Sequence, residues 1–89
     1  MKAVITVVGK DKTGIIYQIS KALYEHNVNI EDLTQTIMQE NFTMLMLVNY
    51  EMMECSFDEL KAALNVAGEN LGLSVRLQRE DIFDAMHKV

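Results

Sequence analysis

The amino-acid sequence predicts an α+β fold: a four-stranded antiparallel sheet carrying two helices on one face, with a short C-terminal helix added. Three observations predict it. Apolar residues recur with period two or with helical spacing in the order β-α-β-β-α-β. Each helical stretch opens and closes on its own signals: a glycine loop and an asparagine for the first, a Ser-x-x-Glu box and a glycine for the second. Right-handed crossovers then put both helices on the same side of the sheet, the ferredoxin-like βαββαβ sandwich. The 89 residues suffice for one domain with a single modest core.

The first strand, Lys2 to Val8, has Ala3, Ile5 and Val7 on one face and Val4, Thr6 and Val8 on the other. Apolar on both faces, it reads as a central strand. Beyond Gly14, the residues Ile15, Ile16, Ile19, Ala22, Leu23 and His26 share about a third of a helix circumference, a stripe suited to packing on a sheet. Tyr17 and Tyr24 fall on the opposite, exposed face, and His26 sits at the carbonyl-rich end in a structural role. Asn27 ends this helix. The second strand begins at Val28-Asn29-Ile30, and its apolar positions change parity between Ile30 and Leu33. A bulge or bend near Glu31-Asp32 is the simplest account. Thr34, Gln35, Thr36 and Gln39 make it a polar strand, as an edge often is.

Glu40-Asn41 reads as a two-residue hairpin turn with Asn41 at positive φ. Phe42, Met44, Met46, Val48 and Tyr50 then share one face of a third strand, with Leu45 and Leu47 on the other, so it too reads as central. Ser56-Phe57-Asp58-Glu59 is a capping box, with Cys55 and Leu60 placed as its hydrophobic staple. Phe57, Leu60, Leu64, Ala67 and Leu71 form the buried stripe of the second helix, and Gly72 its C-terminal cap. Leu73, Val75 and Leu77 alternate with Ser74, Arg76 and Gln78 as a half-buried strand. Glu80 to Val89 forms a last helix with Ile82, Phe83, Met86 and Val89 on one face. Its acidic start and His87-Lys88 end match the helix dipole. Two central strands apolar on both faces leave a surplus apolar face, which soluble monomers rarely expose. The last helix covers part of it with Ile82, Phe83 and Met86, and a symmetric homodimer is expected to cover the rest.

Composition narrows the function. No apolar run is long enough to span a bilayer and no signal-peptide pattern is present, so no membrane partner is expected. The lone Cys55 cannot form an internal disulfide, which suits a cytoplasmic protein. Eight basic against 13 acidic residues give a net charge of −5, which works against nucleic acid. An RNA-recognition motif needs aromatic residues on its central strands, and the third strand here reads FTMLMLVNY. No paired cysteines stand in the first loop, and the methionines read as core filler, so no metal site is expected. A hydrolase acting on phosphate would want an arginine at the first helix start, where only Lys10 and Lys12 are near. No Ser/His/Asp or Cys/His set is visible, so neither catalytic residues, cofactor nor enzyme activity are expected.

The stretch with chemistry in it is Gly9-Lys10-Asp11-Lys12-Thr13-Gly14. It joins a strand to a helix start, where unpartnered N–H groups and the dipole can hold a small carboxylate or phosphate. Gly9 and Gly14 let the backbone turn sharply and a ligand approach. Asp11 beside those donors suits a zwitterion, and the commonest small zwitterion is an amino acid. The competing reading is that Asp11 caps the helix through the Gly14 N–H and binds nothing.

The segment ITVVGKDKTGIIYQISKALYEHNVNIED resembles the start of an ACT domain, the small regulatory module of amino-acid metabolism. The likeness rests on Gly9, Asp11, Lys12 and Gly14 in the loop, Ile15-Ile16 after it, and Asn29-Ile30 opening the second strand. The hairpin ENFTMLMLV is similar to the ACT repeats of glycine-cleavage regulators. The likeness spans residues 1–80 as an ACT-like domain and leaves 81–89 as a C-terminal helical extension. Thr13 departs from it, since many members carry proline there. The resemblance implies a stand-alone regulatory module that senses an amino acid at an oligomer interface, with a protein partner as a further expectation. It also implies a ligand held between one domain's first loop and the next domain's second strand: Asp11, Lys12, Thr13 and Gly14 on one wall, Asn29 on the other. Backbone N–H groups near Gly14 would take the carboxylate, while Asp11 and the Asn29 oxygen take the ammonium and Lys12 stays in solvent. The alternative is a structural adaptor for protein interaction with no small-molecule ligand.

Overall fold

A computed structural model describes residues 1–86. The chain runs β1 (Lys2–Lys10), α1 (Ile15–Glu25), β2 (Asn29–Met38), β3 (Asn41–Asn49), α2 (Phe57–Leu71), β4 (Ser74–Arg79) and α3 (Glu80–Met86). The strands form one antiparallel sheet in the order β2-β3-β1-β4, which is the ferredoxin-like arrangement. β1 and β3 are the central strands and β2 and β4 the edges, as the apolar patterns require. His87, Lys88 and Val89 lie outside the described residues.

The core sits between α1, α2 and the sheet face made by Ala3, Ile5 and Val7 with Phe42, Met44, Met46 and Val48. Ile19 and Leu23 reach it from α1, and Leu60 and Leu64 from α2. Met44 and Met46 are wholly buried, in keeping with methionine as an adaptable core filler. Gly68 completes the α2 stripe, a position the apolar pattern could not mark. A Cβ there would press on Val75 and on the Leu73 carbonyl, so glycine lets α2 settle close against β4.

Several local expectations meet their geometry. Ser56 Oγ accepts a hydrogen bond from the Glu59 N–H at 3.1 Å, and Gly72 closes α2 in the left-handed region with φ 69°. Asn27 leaves α1 at φ 62°, while His26 Nδ1 donates to the Ala22 carbonyl at 2.7 Å. The parity change in β2 is a bulge: Ile30 opposes Val48 and Asp32 opposes Leu47, leaving Glu31 as the extra residue. Two expectations need correction. The hairpin turn is Gln39-Glu40, with Gln39 rather than Asn41 at positive φ (59°), because Met38 and Asn41 are already a strand pair. Ile16 lies at the rim of the α1 stripe and stays 40% exposed.

Candidate functional site

β1 continues to Lys10, which pairs with Asn41, and the Asp11 N–H donates to the Glu40 carbonyl at 2.8 Å. The loop is thereby fastened to the β2–β3 turn before it climbs to α1. Gly14 is the N-cap of α1, with φ 90° and ψ 5°, and no side chain caps that helix. Asp11 therefore does not cap it, and its exposed carboxylate has no partner among the described residues. The first-turn N–H groups of α1 face the loop without a side-chain acceptor, and the dipole adds partial positive charge there.

The two loop glycines do different work. Gly14 adopts a conformation that costs an L-residue about 1–2 kcal/mol, and nothing lies within 4 Å of where its Cβ would be. A Gly14→Val change would strain the backbone as well as fill that space, so it cannot test ligand binding by itself. Gly9, expected to admit a ligand, lies within β1 instead. A Cβ on it would run into Leu73, so its role is packing.

Asp11, Lys12, Gly14 and Ile16 form one wall of a cleft of about 240 Å³, and Gln35 and Ile37 of β2 form the other. Ligand pockets commonly run from about 300 to 1,000 Å³, so this cleft is smaller than most. Its rim carries unusual apolar exposure: Tyr17 is 64% exposed and Ile37 53%. The Lys12 ammonium reaches across to the αL cap of α2, 3.4 Å from where a Cβ on Gly72 would be, beside carbonyls that favour a cation. Thr13 is exposed and does not line the cleft.

Asn29 is not brought to this cleft within one chain. It opens β2 opposite Asn49, at the far end of a ten-residue strand from the Met38–Asn41 pair beside the loop. At about 3.3 Å per residue that separation approaches 30 Å. Gln35 and Ile37 were missed because a polar edge strand does not announce which of its faces meets α1. The one usable sign was the parity change: residues 33, 35 and 37 take the helix side after the bulge. Near Asn29 the charged groups are paired. Lys2 Nζ lies 3.0 Å from Glu31 Oε1 and the Asn49 amide donates to Glu31 Oε2 at 3.2 Å. The hydrogen bond from Lys2, then that from Asn49, holds the Glu31 carboxyl below its ordinary value, and Lys2 is raised in turn.

A larger depression, about 470 Å³, lies on the opposite sheet face and shares no residue with the loop. Among the described residues no cluster of His, Cys, Asp or Glu could hold a metal, and no helix is long and apolar enough to cross a membrane.

The family model for the ACT domain matches residues 2–78. A UPF0237 protein of Clostridium acetobutylicum is 51% identical over 89 residues, all of both chains. The structure of an ACT domain protein from Streptococcus pneumoniae superposes with a TM-score of 0.81 at 39% identity, over 98% of each chain. That of a putative glycine cleavage system transcriptional repressor gives 0.73 at 26% identity, over 88% of this chain and 43% of that one. With the loop, the sheet order and the match over residues 2–78 in agreement, this chain belongs to the ACT domain family of regulatory ligand-binding modules.

Proposed function

We propose that the chain senses an amino acid, without catalysis, at a site shared between two copies. The observation that carries this reading is an uncapped helix start and a free carboxylate lining one cleft. The first-turn N–H groups of α1 suit an α-carboxylate, and Asp11 suits an α-ammonium. The cleft is small and bordered by β2, whose outer edge has no strand beside it among the described residues. A two-fold axis through the middle of β2, between Leu33 and Thr34, would pair two β2 edges antiparallel. It would set the other copy's Asn29 opposite Met38, beside the loop. The same contact would cover Ile16, Tyr17 and Ile37, giving their exposure a purpose. A resemblance in fold to a putative glycine cleavage repressor agrees with a regulatory role in amino-acid metabolism.

Calorimetric titration with the common amino acids tests the reading. At least one should bind with saturating heat at one site per copy, and its N-acetyl derivative, lacking the ammonium, should bind far more weakly. No heat from any of them would leave the adaptor without a ligand as the function.

A further inference from the structure

Three connections meet at one end of the molecule: the loop from β1 to α1, the turn from β2 to β3, and the turn from α2 to β4. The Asp11 N–H ties the first to the second through the Glu40 carbonyl. The first meets the third at two places. At its base, a Cβ on Gly9 would run into Leu73 and lie 3.5 Å from the Gly72 carbonyl oxygen. Further along, Lys12 Nζ lies 3.4 Å from where a Cβ on Gly72 would be.

α2 ends beside that ammonium without a cation of its own. Its last turn has no basic residue and does carry Glu69. The Gly68 and Glu69 carbonyls take the N–H groups of Leu73 and Gly72. The carbonyls that follow have no partner inside the helix, and the dipole makes this end negative, as Glu69 does in addition. Lys12 makes no ion pair among the described residues, so no single carboxylate accounts for its place.

We infer that Lys12 is a positioning residue. Its ammonium, seated on the C-terminal end of α2, pins the loop that walls the cleft and leaves the Asp11 carboxylate free to meet a ligand. A loose Lys12, next to Asp11 in the chain, would compete for that carboxylate or take a ligand's carboxylate itself. Held at α2 it does neither, and a loop ordered beforehand lowers the ordering cost of binding. The pinning stands on the geometry of the three connections, whereas its value to a ligand rests on the amino-acid site proposed above.

Amide hydrogen exchange of the unliganded protein, followed by NMR, tests the pinning on wild type, Lys12→Met and Lys12→Arg. Methionine keeps an apolar stem and removes the charge. The amides to follow are Asp11, Gly72 and Leu73, with Val28, bonded to the Leu23 carbonyl at the far end of α1, as the control. The three should exchange about two- to five-fold faster in Lys12→Met, the range expected for a cation at a helix C-terminus. Lys12→Arg should restore them, and Val28 should not change. Equal rates in wild type and Lys12→Met overturn the pinning, as does a loss that Lys12→Arg does not restore. Calorimetric titration of the same proteins with the common amino acids and their carboxamides tests the consequence for binding. Lys12→Met should weaken acid and carboxamide by the same factor, again about two- to five-fold. A loss confined to the acids would make Lys12 a direct contact of the carboxylate and overturn the positioning role. If no amino acid binds wild type, the proposed site falls, while the exchange rates still decide whether Lys12 pins the loop.

Discussion

Asp11 shows how one residue can be read two ways until its neighbours are placed. In sequence it stands three positions before a helix start, where capping and ligand binding compete. In the structure Gly14 holds the N-cap position, and Asp11 contributes only its backbone N–H, to Glu40. An Asp11→Asn change should therefore leave the melting temperature of the unliganded protein unchanged. With ligand the two should part. A ligand at a hundred times its dissociation constant stabilises the folded state by about 2.7 kcal/mol. In a domain of this size that raises the melting point by roughly 10 °C or more. Loss of a charge-assisted hydrogen bond worth about 1.5–3 kcal/mol should remove most of that rise at the same ligand concentration. A thermal-shift titration checks it, and an Asp11→Asn variant that melts early yet keeps the full rise would return Asp11 to a structural role. Gly9 and Gly14 make the complementary point. They look alike in the sequence, but only the packing of Leu73 and a φ of 90° tell them apart.

Among the elements, β2 departs furthest from a simple alternation of apolar and polar residues. Its polar composition and its change of parity were enough to place an edge strand with a bulge, since each depends only on residues close together. The turn was misplaced by one residue, because intrinsic preference favours Asn41 at positive φ. The pairing of Met38 with Asn41 decided otherwise and kept Phe42, Met44 and Met46 on the core face. The bulged Glu31 also offers a test by pH. Its carboxyl is lowered below 4.5 by the hydrogen bonds from Lys2 and Asn49, so the ionised form favours the native state. That contribution is complete above pH 4.5 and is lost as the pH falls through the lowered folded value. On the alkaline side Lys2, raised above 10.5, keeps its half until the pH passes its own folded value. Glu31→Gln should therefore melt slightly below wild type at pH 7, with the gap narrowing as the pH falls below 4.5. Melting curves across the acid range decide it; a gap that does not change with pH would place the effect outside the ionised carboxylate.

For the molecule as a whole, the ligand reading makes a claim about subunits that no single copy can satisfy. If Asp11 and Asn29 meet only across a two-fold axis, Asp11→Asn and Asn29→Ala should each weaken binding alone. Unfolded together and refolded as an equal mixture, half of the pairs become hybrids, and each hybrid holds one site with both residues intact. About a quarter of the sites should then bind with wild-type affinity, from two weakened parents. Calorimetric stoichiometry reads this directly. A mixture that binds no better than its parents would show that the two residues do not share a site.

Taken alone, the sequence determined the element order, the two central strands, the capped second helix and the loop that belongs to the ACT family. All of these follow from periodicities, caps and turn residues spaced within a few positions of one another, where the chain's own geometry sets which side chains meet. What only the tertiary structure decided depends on residues far apart in the chain. Gln35 and Ile37 came to face the loop through the bulge and the pairing of β2 with β3, Leu73 filled the space over Gly9, and Lys12 reached the end of α2. The nearly 30 Å between Asn29 and the loop is of the same kind. Only after the sheet is assembled does it become clear which residues of β2 border the loop, because that depends on the bulge and on the register of β2 against β3.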